Sequence, residues 1–549
     1  MSIFSKLNPL AKKKTLGYPP GSEQRVRALL ADLDSSNPTR LLKDVEERLT
    51  EISGLQRQFG AETAQLAFAQ LDQSGYSVTG DLLQKYLSSL DRQSSSQAEW
   101  SALDDHAAEL INAHAVFYSE LIPLAQSETE RNHVARDAIA MLRAWSLRKK
   151  LQHFRYRKPA ADLWQQAHAL LTLLQQHGQE QHLVVPYPGE SATSALREYL
   201  VGVYFECLPK GKLLPQQQEA LERFLRSGER LVFTSALEPN ATHRIDLRAA
   251  DGPLARKDGD TGGASVYFLS TLPLHEKLIG LADALASARD VPKWLSALAL
   301  NPAQKEAAFR SVGHYWSSHP PRRIAPRRNE SQELRVVIGF EDAYQMVNAS
   351  QDVRAYCQQK DTAGAEKPSE KSQLNLLRQI ETGGRIPTSL SLETDGRKVG
   401  METWQHADAS TTGFSATLPA LLPRHGVGSL IAVRPVDGVA WRLGIIRRVG
   451  RDATNRPLVG VETIDDEAVC GHANLIDSDH VWSEGVQATG WSNVIFPRSN
   501  GNDLLLLHGS FSSGKMVRAI SGTRAWYICL DSLLERGADF DRVKFTSTD

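Results

Sequence analysis

The chain has 549 residues, with 63 lysines and arginines against 64 aspartates and glutamates, which gives a formal net charge of −1. This length is enough for about three or four domains of ordinary size. Hydrophobic residues make up 41% and charged residues 23% of the chain, a composition typical of folded proteins. The balance of charge argues against an extended basic face for long nucleic acid, because such binders usually carry an excess of lysine and arginine.

The sequence favours a cytoplasmic protein without a transmembrane segment. No stretch approaches the roughly 20 apolar residues that cross a bilayer, and Pro9 interrupts the short apolar stretch that precedes the N-terminal lysines, unlike a secretory signal. The four cysteines lie far apart, which argues against a disulfide framework or a structural zinc site. We therefore expect reduced thiols and neither a metal ion nor a cofactor. The cysteines are Cys207, Cys357, Cys470 and Cys529.

After an N-terminal extension, 1–22, residues 23–317 are predicted to form a mostly helical domain. Apolar residues recur at helical spacing in segments such as 41–52, and short polar connections separate the segments. Two β-rich segments within this domain, 230–235 and 265–270, predict a small hairpin or a pair of edge strands.

Short strands predominate from Leu334 onward. A strand at 334–340 precedes a helix-like stretch and a polar linker, and three brief strands punctuated by glycine and proline follow between 428 and 464. A second strand-rich block extends from about 473 to the end. The expected fold class is α+β and multidomain: an N-terminal helical domain, a central antiparallel β-barrel at 318–468 with a helical insertion at about 341–395, and a C-terminal β-barrel or sandwich module at 469–549.

Four arginines occur within seven residues where the helical sequence gives way to strands: Arg322, Arg323, Arg327 and Arg328. Prolines before and within the cluster exclude a regular helix, so we expect an extended loop. The planar guanidinium fork suits bidentate contacts to phosphate and to the guanine O6 and N7 atoms. By itself, such a cluster is also typical of a solvated basic linker.

The segment 408–413, with the sequence DASTTG, carries a second pattern. In an extended backbone Asp408 and Ser410 project to the same side and could accept hydrogen bonds from amino or imino groups of a base. Gly413 is expected to turn the chain with a positive φ. By itself the segment is also typical of an Asx or Ser/Thr turn.

Together the two patterns resemble the PilZ family of bacterial cyclic di-GMP receptors. Residues 323–327 fit its RxxxR element, 408–413 fit its [D/N]xSxxG element, and the strands up to 464 are similar to the rest of a PilZ barrel. The resemblance implies that Arg323 and Arg327 grip phosphates and the Hoogsteen edge of guanine. It also implies that Asp408 and Ser410 bind the amino side of guanine while Gly413 holds the turn.

The resemblance carries two further implications and one departure. Arg322 extends the first element to RRxxxR, which in the family accompanies an intercalated ligand dimer, and Arg328 would add charge without a role in the motif. The two elements are about 80 residues apart, farther than is usual in the family. We expect the helical insertion to account for the extra length, either beside the pocket or as a decoration of the barrel.

No catalytic residues are predicted. The segment 508–516 contains a GxxxxGK pattern, but Met516 stands where a P-loop needs serine or threonine, so we expect a Gly/Ser turn. No HExxH or GxSxG pattern occurs.

The sequence therefore predicts a non-catalytic cyclic di-GMP receptor and effector. Its arginine loop would close over the ligand and reorient the helical domain toward an unidentified protein partner. The alternative is a protein-interaction scaffold whose PilZ-like barrel binds no nucleotide.

Overall fold

The computed structural model describes most of the chain. The described residues are 24, 33, 37–59, 61–91, 97–287, 289–296, 298, 300–320, 328–329, 331–362, 370–381, 400–422, 424–452, 454–475, 491–498, 501–522 and 524–548. Their contacts divide the chain into two compact units. The first comprises Met1–Lys210 and Pro215–Pro321, and the second comprises Gly211–Leu214 and Arg322–Asp549. The finer boundaries expected from the sequence, at 22, 317 and 468, stay predictions.

The first unit is mainly helical, as the sequence predicts. Its helices are α1 (Pro38–Phe59), α2 (Ala61–Asp91), α3 (Gln97–Leu121), α4 (Glu128–Phe154), α5 (Ala161–Gln176), α6 (Ala195–Glu206), α7 (Pro215–Arg226), α8 (Leu272–Ala286), α9 (Lys293–Ser296) and α10 (Pro302–Tyr315), with a 3₁₀ turn at Ile122–Leu124. A further 3₁₀ turn, Lys210–Lys212, begins at the last residue before the segment Gly211–Leu214. At the start of α4, the Ser127 hydroxyl accepts from the Glu130 amide and the Glu130 carboxylate accepts from the Ser127 amide. This reciprocal cap satisfies backbone donors that a helix end leaves without partners.

Apolar residues at helical spacing form the core of this unit. Leu42, Leu83, Trp100 and Leu151 come from α1, α2, α3 and α4 and belong to one buried cluster. The Trp100 indole also donates a hydrogen bond to the Leu151 carbonyl at 3.1 Å, so its only polar atom is satisfied within the core.

A small antiparallel sheet lies within the helical unit. Its strands are β1 (His243–Asp246), β2 (Leu254–Ala255) and β3 (Val266–Leu269), in the order β2-β1-β3. The predicted strand at 265–270 is confirmed as β3, whereas 230–235 contributes only one bridge, between Thr234 and Phe268. The main partner of β3 is β1, which the sequence pattern missed because only one of its four residues is buried.

The second unit contains two closed barrels. The strands of the first are β4 (Arg328–Asn329), β5 (Glu333–Ile338), β6 (Glu402–Ser410), β7 (Gly413–Thr417), β8 (Leu430–Pro435), β9 (Arg442–Arg451) and β10 (Pro457–Asp465). They follow the antiparallel order β6-β5-β8-β9-β10-β7, β7 closes the ring by pairing with β6, and β4 adds to β6. The central antiparallel barrel expected from the sequence is confirmed.

The C-terminal module is a closed antiparallel barrel and not a sandwich. Its strands are β11 (Val469–Leu475), β12 (Ser492–Phe496), β13 (Asp503–Leu507), β14 (Met516–Ser521), β15 (Arg524–Arg536) and β16 (Phe540–Ser547), in the order β11-β12-β13-β16-β15-β14. The GxxxxGK segment connects β13 to β14. Gly509 and Gly514 within it have φ values of 80° and 74°, as a glycine-dependent turn requires.

Two helices, α11 (Phe340–Thr362) and α12 (Glu370–Glu381), occupy the expected insertion between β5 and β6. The first of them packs against both barrels of this unit and does not merely decorate one. One buried cluster includes Phe340, Tyr344 and Val347 of α11, Leu430 and Leu443 of the first barrel, and Ile495 and Leu505 of the C-terminal barrel.

This helix explains the runs of consecutive apolar residues in β12 and β13. Val494 and Leu504 lie in the core cluster of the C-terminal barrel, while their neighbours Ile495 and Leu505 lie in the cluster shared with α11. Both faces of β12 and β13 are therefore buried, and a strand covered on both faces has a continuous apolar sequence.

Among the described residues, no helix combines the length and apolar character needed to span a membrane.

Candidate ligand-binding site

The segment 408–413 forms the hairpin between β6 and β7. Ser410 pairs with Gly413, so Thr411 and Thr412 make a two-residue loop. The Ser410 hydroxyl donates a hydrogen bond to the Gly413 carbonyl at 3.0 Å. A hydroxyl that donates this bond keeps its oxygen lone pairs, so Ser410 can still accept a hydrogen bond from a ligand N–H group.

Gly413 is required for space and not for a positive φ, so the expectation from the sequence is wrong on this point. Its φ lies outside the left-handed region. A Cβ at Gly413 would lie 2.1 Å from the Val461 carbonyl oxygen and 3.1 Å from the Glu462 Cα. Because no side chain fits such a distance, only glycine lets β7 approach β10 this closely.

Asp408 and Ser410 lie on one face of β6, as their spacing predicts. A single antiparallel register joins both residues to β7. A β-bulge with Ala407 as the extra residue immediately precedes Asp408, and bulges redirect the side chains that follow them. Both side chains are half-buried, so a ligand can reach them.

The short strand β4 places Arg328, the last arginine of the cluster, beside this hairpin. Arg328 pairs with Ala409, and Asn329 pairs with Asp408, on the edge of β6 opposite β7. The chain segment that leaves the arginine cluster is thus a direct neighbour of the DASTTG segment. The intervening residues hold α11 and α12, which explains how elements far apart in sequence meet in the barrel.

The described residues include one arginine of the cluster. Arg328 is exposed, and because it pairs with Ala409 it belongs to the sheet face opposite to that of Asp408 and Ser410. The other arginines lie outside the described residues: Arg322, Arg323 and Arg327.

Two charged residues behind the hairpin were not predicted. Glu462 of β10 lies directly opposite Gly413, and the Arg447 Nε atom donates to the Glu462 carboxylate at 2.6 Å. No sequence motif identifies either residue, because strand register brings Glu462 to the hairpin and a β-bulge positions Arg447.

A polar cluster anchors the opposite end of β6. The Glu402 carboxylate accepts hydrogen bonds from Trp404 Nε1 at 2.7 Å, Arg424 Nε at 2.8 Å and His425 Nε2 at 2.9 Å. Burial alone would raise the pKa of Glu402, but these partners outweigh it and lower the pKa to about 2. The cluster holds the loop before β8, and its hydrogen bonds are made among its own residues, so we regard it as structural.

Among the described residues, no group of three or more His, Cys, Asp or Glu side chains could hold a metal ion.

Comparison with known proteins adds a signal from a different part of the chain. Residues 24–235 match the family model described as "Cyclic-di-GMP receptor FimW, N-terminal domain". The match lies in the helical region and covers less than half of the chain. No curated protein matches the chain. The FimW similarity and the PilZ resemblance are independent, because they rest on different residues.

Proposed function

We propose that the protein is a non-catalytic receptor for cyclic di-GMP, which binds where the arginine segment meets the β6–β7 hairpin. The pairing of Arg328 with Ala409 carries this proposal, because Arg328 directly follows the RxxxR element in sequence and lies beside the hairpin that holds the DxSxxG element. The similarity of residues 24–235 to a cyclic di-GMP receptor domain supports the same ligand from a separate region.

The hairpin provides acceptors suited to a guanine base. A carboxylate such as that of Asp408 can accept from two N–H groups, and the Ser410 oxygen retains lone pairs on the same face of β6. The edge of guanine that carries N1–H and the exocyclic amino group offers donors to match. Gly413 keeps β7 close to β10, and this close packing limits movement of the hairpin when a base binds.

The arginine segment provides donors suited to phosphate. Arg327 precedes Arg328 by one peptide bond, so covalent geometry keeps the two Cα atoms within about 4 Å. Arg323 is five residues from Arg328, a span of at most about 18 Å even when extended. Bidentate guanidinium contacts to two phosphates and to the Hoogsteen edge of guanine are the strong contacts available to such a segment. Arg322 would extend the site to an intercalated ligand dimer.

The arginine segment also connects the chain of the helical unit to the barrel. A ligand that orders this segment biases the arrangement of the two units by its differential affinity for the two states. In this proposal the helical unit, which carries the FimW similarity, binds a protein partner in the cytoplasm and passes the signal to it. This mechanism predicts slower amide hydrogen exchange at 320–330 when ligand is added, and unchanged exchange would count against it.

Isothermal titration of cyclic di-GMP into the full chain tests the proposed site. We expect heat from the wild type at micromolar ligand. The double variant Arg323→Ala/Arg327→Ala should bind at least ten- to a hundredfold more weakly, because a charge-assisted hydrogen bond contributes on the order of 1.5–3 kcal/mol. Asp408→Ala tests the base-binding half in the same way.

The matched control is Arg518→Ala/Arg524→Ala, which removes the same charge from exposed positions on the C-terminal barrel. It should bind like the wild type. No heat from the wild type would reject the receptor and favour the scaffold alternative. Equal affinity of the wild type and the Arg323/Arg327 variant would move the site elsewhere.

A further inference from the structure

Arg447 occupies an unusual position in the first barrel. Arg448 pairs with Gly460 and Ile446 pairs with Val461, so Arg447 is the extra residue of a β-bulge in β9. A bulged residue leaves the alternation of its strand and can direct its side chain away from the regular row. The Arg447 side chain keeps 35% of its surface exposed.

The Arg447 guanidinium joins two carboxylates from different barrels of the second unit. Its Nε atom donates to the Glu462 carboxylate of β10 at 2.6 Å. Its Nη atoms donate to both oxygens of Glu535 on β15, with Nη2 at 2.8 Å. Such a bidentate arrangement fixes orientation as well as distance. Glu535 itself follows a bulge in β15, where the register shifts between Leu533 and Glu535.

Glu462 connects this contact to the candidate site. It lies directly opposite Gly413, where a Cβ would already touch the β10 backbone. The next residue, Thr463, donates its amide to the Thr412 carbonyl of the hairpin loop at 3.1 Å. A displacement of β10 would therefore also displace the β6–β7 hairpin.

The end of β15 is also fixed to the first barrel through the backbone. The Ala538 amide donates to the Gly428 carbonyl at 2.9 Å. The Leu430 amide donates to the Asp539 carboxylate at 2.9 Å. Residues 535–540 of the C-terminal barrel are thus attached to the first barrel on two sides, through β8 and through Arg447.

We propose that Arg447 is a positioning residue for the ligand site, which couples the β6–β7 hairpin to residues 535–540 of the C-terminal barrel through Glu462 and Glu535. The proposal rests on the proposed function, because it assigns this coupling to cyclic di-GMP binding at that hairpin. In this proposal, residues of the C-terminal barrel respond to ligand bound at the first barrel. Because coupling between two sites is reciprocal, ligand stabilises residues 535–540, and contacts of residues 535–540 strengthen ligand binding.

The full-length variants Arg447→Met and Arg447→Lys test this role by titration with cyclic di-GMP. Methionine keeps the stem but removes the cation that Glu462 and Glu535 share, so we expect about tenfold weaker binding. Lysine restores the charge without the planar fork and should recover only part of the loss. The control is Arg456→Met, whose ion pair with Asp452 stays within the β9–β10 connection, and it should bind like the wild type.

Hydrogen exchange separates coupling from general destabilisation. In the wild type, ligand should slow exchange both at 408–413 and at 535–540. In Arg447→Met the slowing at 408–413 should remain and the slowing at 535–540 should be lost. A variant that binds normally and keeps both effects would overturn the proposal.

A ligand-free arm distinguishes failure of this inference from failure of the proposed function. Without ligand, Glu535→Gln should speed exchange at 413–417 and 458–463, where β7 pairs with β10. If the wild type binds no cyclic di-GMP, the proposed function fails, and with it the assignment of this coupling to ligand binding. Ligand binding by the wild type with unchanged exchange in Glu535→Gln would overturn the inference alone.

Discussion

Ala538 and Gly428 form a backbone hydrogen bond between the two barrels of the second unit, in which the Ala538 amide donates to the Gly428 carbonyl at 2.9 Å. Gly428 has a φ of +88°, and a Cβ added there would lie 3.3 Å from the Ala538 nitrogen. The contact between the barrels therefore depends on a residue without a side chain.

Gly428→Ala should lower the unfolding midpoint in urea, followed by tryptophan fluorescence. Backbone strain at positive φ costs about 1–2 kcal/mol for a residue with a Cβ, and the close approach to Ala538 adds to it. Gly501→Ala is the control, because its φ is +69° and no atom lies within 4 Å of the added Cβ. Equal losses in the two variants would mean that the contact with Ala538 contributes nothing.

Gly413→Ala should destabilise the first barrel by about 1–3 kcal/mol or more, as overpacking does, since its Cβ would meet the Val461 carbonyl. Gly413→Asn should be at least as harmful, because asparagine tolerates a positive φ but relieves no crowding. Urea unfolding measures both. Gly450→Ala, in the same sheet with no atom within 4 Å, should be nearly neutral. An asparagine variant as stable as the wild type would restore the turn explanation.

Glu402→Gln should lower stability at pH 7 by about 1.5–3 kcal/mol, because charge-assisted hydrogen bonds to the carboxylate are weakened. The folded pKa is lowered from about 4.5 to about 2, so the stabilisation is complete above pH 4.5 and is lost as the pH falls toward 2. The difference between wild type and variant in thermal unfolding should therefore shrink over that interval. A difference that stays constant down to pH 2.5 would contradict this assignment.

Asp137→Asn should change the pH dependence of the helical unit. Burial, opposed by a hydrogen bond from Gln65 and assisted by Asp72, raises the pKa of Asp137 from 3.8 to about 8. A raised carboxyl pKa favours folding at low pH, and this contribution is lost as the pH rises from 3.8 to 8. The thermal midpoint of the variant should thus rise relative to wild type between pH 5 and pH 8. A curve for Asp137→Asn parallel to that of the wild type would refute the prediction.

The sequence was informative wherever one physical pattern dominated. Helical spacing of apolar residues predicted the first unit, and short runs between glycines and prolines predicted β8, β9 and β10. The strand β16 lies within the strand-rich block predicted from about 473 to the end, but its bounds were not predicted, because Asp541, at 0% exposure, interrupts its apolar pattern. Besides a salt bridge with Arg536, the buried Asp541 carboxylate accepts hydrogen bonds from the amides of Gly509 and Phe511, 32 and 30 residues away in sequence, which no local pattern contains.

The candidate site was predictable in part for the same reason. Asp408 and Ser410 were assigned to one face from their spacing alone, because a strand repeats every two residues. The reason for Gly413 was not predictable, since it depends on β10, which is more than 40 residues away in sequence. The position of Arg447 beside the site was also not predictable, because it depends on a β-bulge in β9 and on a contact with Glu535 of the other barrel.

The helix α11 has a practical consequence for dividing the protein. Its buried residues pack with Leu430 of the first barrel and with Ile495 and Leu505 of the C-terminal barrel. Both barrels are therefore needed to bury the apolar residues of α11. A fragment ending at 468 would leave an apolar helix face uncovered in water and should aggregate. The shortest C-terminal piece expected to stay monodisperse begins near 322 and includes both barrels. Binding assays on an excised PilZ-like segment alone would consequently measure a damaged protein.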